Sequence, residues 1–254
     1  MKTIMLAVAL LFCAALAWWL WTPDRSRGDL ESKYLRAPGD MLQVGQWRLH
    51  VRDSGPRGAS PFILIHGFGA SLQTWDSWAA QLERTHRVIR LDLPGSGLTP
   101  PDPAGDYTDA RSMALLLALM DHLGLPRASF AGHSIGGRIA WTFAALHPGR
   151  VDRLVLVAPD GFASPGFEYG QAPKMPAMLG AMRFVMPKAV LQASLKSAYA
   201  DPAMLTAQRV DRYDDLMRAP GARQALLDRM RQTLRGRSAP TARSHHVAHP
   251  ADLG

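Results

Sequence analysis

Residues 132 to 136 read Gly-His-Ser-Ile-Gly, a pattern that can present a serine hydroxyl as a nucleophile. An apolar, β-prone run precedes the pattern and a helix-forming run follows it. A strand, a sharp turn and a helix would hold Ser134 at the end of a parallel sheet, with Gly132 and Gly136 keeping Cβ atoms out of the strand–helix crossing. The helix would direct unpaired N–H groups at the serine. We interpret Ser134 as the nucleophile of an acyl transfer, although this short pattern also arises by chance.

Acyl transfer needs two convergent N–H donors for the developing oxyanion, and two residues are placed to supply them. Ile135 directly follows the serine. Phe68 lies in the glycine-rich loop His-Gly-Phe-Gly-Ala-Ser (66–71), which follows the apolar, strand-type run 61–65. Alone, this loop is typical of any tight strand-to-helix turn, but together with the serine pattern it indicates an oxyanion hole. A third segment, residues 88–97, reads as a strand that runs into a Gly/Pro turn.

These segments together resemble the α/β-hydrolase family, in particular its small esterase-like members with a helical lid. The matched segments are the loop HGFGAS, the turn DLPGSGLT, the elbow GHSIGG and the strand-type run 154–158 with the Pro-Asp-Gly that follows, in the family's order. The resemblance implies an α/β fold: a mostly parallel, doubly wound sheet with a lid after strand six. It also implies serine-dependent hydrolysis of an ester or related acyl bond, a structural turn role for Asp92, and Asp160 as the candidate acid.

The histidine base is unknown. In the family the acid usually follows strand seven and the histidine follows strand eight, but residues 236–254 contain no apolar run that could form either strand. Their Arg-, Ala-, Pro- and Ser-rich composition is what a GC-rich gene yields when it is read out of frame. We therefore hypothesise a frameshift near codon 235, with strands seven and eight missing and catalysis impaired. In the alternative, His245, His246 or His249 loops back to Ser134.

The N-terminus predicts a membrane segment. Ile4 to Trp21 carries no charge and can just span a bilayer as one helix, with tryptophans at its far end that suit a membrane interface. A cleaved signal peptide is the alternative, because the run is short and contains Ala15-Leu16-Ala17. Resemblance to anchored bacterial hydrolases favours an inner-membrane anchor with a periplasmic domain; cleavage would instead give a secreted protein.

Length and composition fit one domain plus this segment. The 254 residues, 47% of them apolar, can bury one α/β core. The net charge of +8 is spread along the chain without a nucleic-acid-binding signature, and no metal or nucleotide-cofactor motif is present. The expected organisation is an anchor or signal segment at 1–22, a tether at 23–40, an α/β-hydrolase core at 41–161, a helical lid at 162–235, and a disordered, non-family tail at 236–254.

Two functions remain open at this point. The first is a membrane-anchored serine hydrolase that acts on a small apolar ester through a Ser134 acyl-enzyme; carbon–carbon bond hydrolysis uses similar machinery and stays open. Epoxide hydrolases and haloalkane dehalogenases of the family use aspartate where Ser134 stands. The second is a non-catalytic module that binds an apolar ligand or partner. Methionines 175, 178, 182 and 186 recur at helical spacing and either pack the lid or line a mouldable apolar pocket.

Ending the sheet at strand six also has a structural consequence. The run from Leu154 to Ala158 would become an exposed, apolar sheet edge. Such an edge pairs readily with other chains, so the sequence predicts self-association.

Overall fold

The computed structural model describes residues 4–6, 11, 15, 20–161 and 177–238. Within them a six-stranded sheet has the order β1-β2-β4-β3-β5-β6. The strands are β1 (Met41–Val44), β2 (Trp47–Ser54), β3 (Pro61–Ile65), β4 (Arg87–Leu91), β5 (Ala128–His133) and β6 (Val151–Val157). Strands β1, β2 and β4 pair antiparallel, whereas β4, β3, β5 and β6 are parallel neighbours. The mostly parallel α/β sheet is therefore confirmed, and the described residues after Val157 contain no further strand.

Helices cover both faces of the sheet. They are α1 (Arg27–Tyr34), α2 (Asp76–Leu82), α3 (Asp109–His122), α4 (Ile135–Leu146), α5 (Lys188–Ala198), α6 (Ala207–Met217) and α7 (Ala222–Ser238). Short 3₁₀ segments include Leu72–Trp75, before α2, and Ala177–Arg183. Helix α3 shows why the local sequence folds this way: the Thr108 side chain accepts a hydrogen bond from Arg111 N at its start, and Gly124 follows its end with φ 65°.

Two apolar layers sandwich the parallel strands. On one face Phe130 and Phe143 pack together with centroids 5.1 Å apart, over a cluster that includes Leu116. On the other face Leu64 and Trp75 belong to a second cluster beneath α2. Burial on both faces explains the continuous apolar runs of these strands. The candidate site lies at the carboxyl ends of β3 and β5.

Residues 20–36, expected to be an anchor end and a polar tether, lie against the helices that follow residue 177. Thr22 N donates to Phe184 O at 2.9 Å, and Arg25 N donates to Arg218 O at 2.7 Å. Leu30 of α1 is 2% exposed and packs in a cluster with Leu216 of α6. Because this contact uses few apolar side chains (Leu30, Tyr34 and Leu35) besides several charged groups, the polar composition gave no indication of it.

Several expectations fall outside the described residues. They include most of the apolar run 4–21, part of the expected lid (162–176, with Met175) and most of the tail, including His245, His246 and His249. Among the described residues, no helix combines the length and hydropathy needed to cross a membrane. The proposed domain boundaries remain predictions.

Strand β6 is an edge strand in the described sheet. It pairs with β5 on one side, and Leu154, Val155 and Leu156 are each 36% exposed. The exposed apolar edge that the sequence predicts is therefore present.

Candidate active site

The serine pattern forms a sharp strand-to-helix turn between β5 and α4. Ser134 has φ 53° and ψ −120°, a backbone conformation that is unfavourable for a residue with a side chain. Hydrogen bonds hold it there: Ser134 N donates to Val157 O at 3.1 Å, and Ser134 O accepts from Asp160 N at 3.0 Å. The half-buried side chain makes no hydrogen bond to any described residue, so the hydroxyl is available to a ligand.

The two glycines of the pattern allow this turn to sit close to the sheet. A Cβ on Gly132 would lie 2.2 Å from Gly136 O, and a Cβ on Gly136 would lie 2.3 Å from Ile65 O. These are backbone atoms, which cannot move aside without shifting helix α4 or strand β3. The geometry therefore requires glycine at both positions, so that the strand and the helix can approach closely, as the sequence predicts.

The two predicted oxyanion donors border the same cavity. Phe68, on the loop after β3, and Ile135, at the start of α4, both line it, together with His66 and with Arg229 from α7. Neither the Phe68 N–H nor the Ile135 N–H donates to a described residue. Ile135 is the first residue of its helix, where an N–H has no partner within the helix. Two free donors on one cavity, one of them on the residue that follows Ser134, are what an oxyanion hole requires.

Asp160, the candidate acid, follows β6 at the back of the elbow. Its carboxylate Oδ2 lies 3.4 Å from Arg138 Nε, and its backbone O accepts from Trp141 Nε1 at 3.3 Å. Arg138 is itself held by Asp109 and donates to Thr233 Oγ1 of α7 at 3.2 Å. The structure thus places the Asp160 carboxylate in an arginine pair behind the elbow.

No histidine in the described ranges is hydrogen-bonded to Ser134. His66 Nε2 accepts from Leu93 N at 3.0 Å and its Nδ1 lies 2.8 Å from Gly67 O, which fixes a neutral ring in the oxyanion loop. Burial lowers the pKa of His66 and that of His133. His133 packs against Gly67, and its Nδ1 is buried without a described partner. Both histidines shape the site; the general base remains unassigned.

Asp92 has the structural role expected of it. The carboxylate is fully buried: Oδ1 accepts from Leu72 N at 2.7 Å and Oδ2 from Leu98 N at 2.9 Å, while His50 Nδ1 lies 2.6 Å from Oδ2. Burial alone would raise the pKa of Asp92, but the His50 ring and the amide donors outweigh it and hold that pKa below the usual value. These contacts tie the DLPGSGLT turn to the loop before α2.

A second cavity lies between these loops and the helices α6 and α7. Apolar side chains from both helices line it, including Leu216, Met217 and Leu226. Gly69 and Ala70 of the oxyanion loop form the adjoining wall, and Arg212 and Arg223 contribute the charged part of the lining. The cavity is small, about 20 Å³, and its apolar side adjoins the oxyanion loop.

Sequence reasoning missed Arg229. It is 5% exposed, its Nη2 donates to Pro94 O at 2.9 Å, and its guanidinium lies 4.9 Å from the Tyr107 ring centroid. Burial lowers its pKa to about 10. In the sequence it is one of many arginines after residue 204, and no local pattern distinguishes it. It ties α7 to the turn after β4.

Comparison with known proteins identifies the family. The model of the alpha/beta hydrolase fold matches residues 60–229, and the chain belongs to that family. The dihydrolipoyllysine-residue acetyltransferase component of the acetoin cleaving system of Pseudomonas putida is 34% identical over 72% of this chain and 47% of its own length. The 2-hydroxy-6-oxo-2,4-heptadienoate hydrolase of Pseudomonas putida is 31% identical over 58% of this chain and 55% of its own. The chain thus spans about half the length of these curated relatives.

Solved structures show the same fold. Cfl2 from Burkholderia cenocepacia superposes with a TM-score of 0.66 at 25% identity, covering 78% of this chain and 71% of that one. A hydrolase from Pseudomonas aeruginosa PA01 superposes with a TM-score of 0.62 at 27% identity, covering 74% and 69%. The described residues therefore have an α/β-hydrolase fold, and the family has hydrolases among its members.

Proposed function

We propose that the chain is a serine hydrolase that attacks a small apolar carboxylic ester, or a related acyl bond, through a Ser134 acyl-enzyme. The observation that carries the proposal is the elbow: an unbonded hydroxyl on a strained turn, next to the unpaired N–H groups of Phe68 and Ile135. In the reaction, Ser134 Oγ attacks the acyl carbon and gives up its proton to solvent water, while the two N–H groups stabilise the oxyanion. The alkoxide then leaves and takes a proton from water, and a second water attacks the acyl-enzyme, which releases the carboxylic acid and restores the Ser134 hydroxyl.

The apolar lining of the cavity from α6 and α7 supports an apolar acyl or alcohol group. Hydrolases among the relatives support a small-molecule substrate. Turnover is slow in this proposal, because no described histidine is placed to take the Ser134 proton and Asp160 is paired with Arg138. Oxyanion stabilisation and binding alone can still leave a rate roughly 10³–10⁴ above that of water.

A fluorophosphonate probe tests the nucleophile, because it reacts with a serine hydroxyl that faces an oxyanion hole, and reacts faster when a base takes the proton. We expect slow labelling of the full chain that is lost in Ser134→Ala and kept in Ser96→Ala. Ser96 is the matched control, since it also borders the oxyanion-hole cavity but lies outside the elbow. Equal labelling of Ser134→Ala and the wild type would contradict the proposal.

One observation favours a second function. The described residues bring no histidine to Ser134, yet the apolar cavity is formed. A non-catalytic module that binds an apolar ligand or partner would need the cavity alone. In that case the fluorophosphonate probe does not label the wild type, but a hydrophobic fluorescent dye binds to it. The Leu226→Trp variant, whose larger side chain fills the cavity, should bind the dye more weakly.

We further propose that the apolar run 4–21 attaches the protein to a bacterial inner membrane with the domain in the periplasm. Its support is the uncharged sequence with tryptophans at its end. Secretion after cleavage is the alternative. Cell fractionation with an antibody to the folded domain distinguishes them: membrane-bound protein of full length supports the anchor, and soluble protein shortened at its N-terminus contradicts it.

A further inference from the structure

Three arginine side chains converge on one carboxylate, away from Ser134. Arg90 Nη1 donates to Asp76 Oδ1 at 2.6 Å, Arg52 Nη1 lies 3.7 Å from the same oxygen, and Arg212 Nη1 lies 3.5 Å from Asp76 Oδ2. Arg52 and Arg90 are direct partners across the antiparallel strands β2 and β4. Two like charges opposite each other destabilise a sheet unless an opposite charge lies between them.

The two strand arginines are deeply buried. Arg90 is 2% and Arg52 7% exposed. Arg90 pairs in register with Leu64, which belongs to the apolar layer under α2. Burial lowers the pKa of Arg52, and the neighbouring charges of Arg36 and Arg90 act in the same direction. Arg52 Nη2 donates to Tyr34 O at 2.9 Å, and Asp76 is the one carboxylate within 4 Å of both strand arginines among the described residues.

Several buried polar atoms of the arginines in this cluster, and of a residue one turn before Asp76, have no hydrogen-bond partner among the described residues. They include Nε of Arg52, Nε of Arg90, and both amide atoms of Gln73, which lies three residues before Asp76 on the same turn. Buried polar atoms are normally satisfied, and leaving them unpaired is costly. Asp92, the other carboxylate that acts on Arg52, already accepts from His50, Leu72 and Leu98.

We propose that Arg52, Arg90, Arg212 and Gln73 form a binding site for a small inorganic oxyanion, phosphate or sulfate, beside Asp76. Guanidinium groups and an amide N–H₂ are the donors that such an anion prefers. The anion would supply the missing negative charge and accept from the orphaned donors.

Two members of the cluster lie at the surface of the protein and border the buried arginines. The Asp76 side chain is 39% exposed. Arg212 lies on α6, and its side chain also lines the cavity between the oxyanion loop and α6–α7. The bound anion would therefore link strands β2 and β4 to α6, and the site does not depend on the chemistry at Ser134.

Thermal unfolding of the full chain in sodium phosphate, compared with sodium chloride at equal ionic strength, tests the site. At ten times Kd we expect phosphate to raise Tm by about 3–5 °C. Arg90→Met and Arg212→Met should each lose most of this rise. Arg212 is partly exposed on a surface helix, so its variant keeps the test valid if Arg90→Met does not fold.

Arg87→Met is the matched control. Arg87 lies on the same strand, but it pairs with Asp53 at 2.7 Å. Removing it also takes one cation from β4, and the response to phosphate should stay as large as in the wild type. Equal shifts in phosphate and chloride for the wild type would overturn the proposal, as would equal phosphate responses of Arg212→Met and Arg87→Met.

Discussion

Ser134→Gly should make the protein more stable than Ser134→Ala, although both remove the nucleophile. At φ 53° and ψ −120°, any residue with a Cβ is strained, and a glycine is not. Because the Ser134 hydroxyl makes no hydrogen bond to a described residue, the alanine variant loses little else and keeps the strain.

The size of the effect follows from two opposing terms. Relief of a strained backbone conformation is worth about 1–3 kcal/mol. Glycine also lowers the free energy of unfolding by about 0.4–1 kcal/mol relative to alanine, because it gives the unfolded chain more conformational entropy. The expected difference is near 1 kcal/mol in favour of glycine, or about 2–4 °C in Tm for a chain of this size.

Urea unfolding of the two variants, followed by tryptophan fluorescence, gives the difference in free energy of unfolding. Ser129, on the same strand but without a positive φ, is the control: there glycine should be less stable than alanine. If Ser134→Gly is equally or less stable than Ser134→Ala, the elbow is not strained and the reasoning is refuted.

Three further predictions follow from the same geometry. Asp92→Asn should cost about 3–5 kcal/mol in urea unfolding, because it leaves the buried partners of the carboxylate unmatched. Because the pKa of Asp92 is lower in the folded than in the unfolded chain, its contribution to the free energy of unfolding is present above about pH 4 and is lost as pH falls through the folded-state pKa. In a pH series, the stabilities of the wild type and the variant should therefore converge in acid. A constant difference between them would contradict this. Gly136→Ala should cost at least about 2–3 kcal/mol by the same assay, because its Cβ would lie 2.3 Å from Ile65 O; a cost near zero would mean the crossing is looser than the structure shows. Leu156→Lys on the exposed edge strand should lower self-association in sedimentation velocity, and an unchanged sedimentation profile would place the contact elsewhere.

The serine elbow, the oxyanion loop and the parallel strands could be predicted from sequence because their signals are local. Gly132 and Gly136 stand at fixed offsets from Ser134, and each strand is an unbroken apolar run. The helix after Thr108 carries its cap and its glycine stop in its own sequence.

Long-range contacts between charged groups could not be predicted. Arg52, Arg90 and Asp76 meet only because β2 pairs with β4 and α2 covers them, and their spacing along the chain carries no sign of it. The contact of residues 20–36 with α6 could not be predicted for the same reason. It depends on Leu30 and on ion pairs such as that of Arg25 with Asp215, which lie far apart along the chain. Composition identifies such segments as polar and cannot say what they touch.

Trapping of the acyl-enzyme tests the central claim most directly. The full chain is incubated with a p-nitrophenyl ester of a short fatty acid, quenched in acid and digested, and the peptides are examined by mass spectrometry. Because p-nitrophenolate leaves without a general acid, we expect the acyl group on the peptide that carries Ser134 and expect it to be absent from Ser134→Ala. An unmodified Ser134 peptide, or the same adducts in both proteins, would contradict the assignment of Ser134 as the nucleophile.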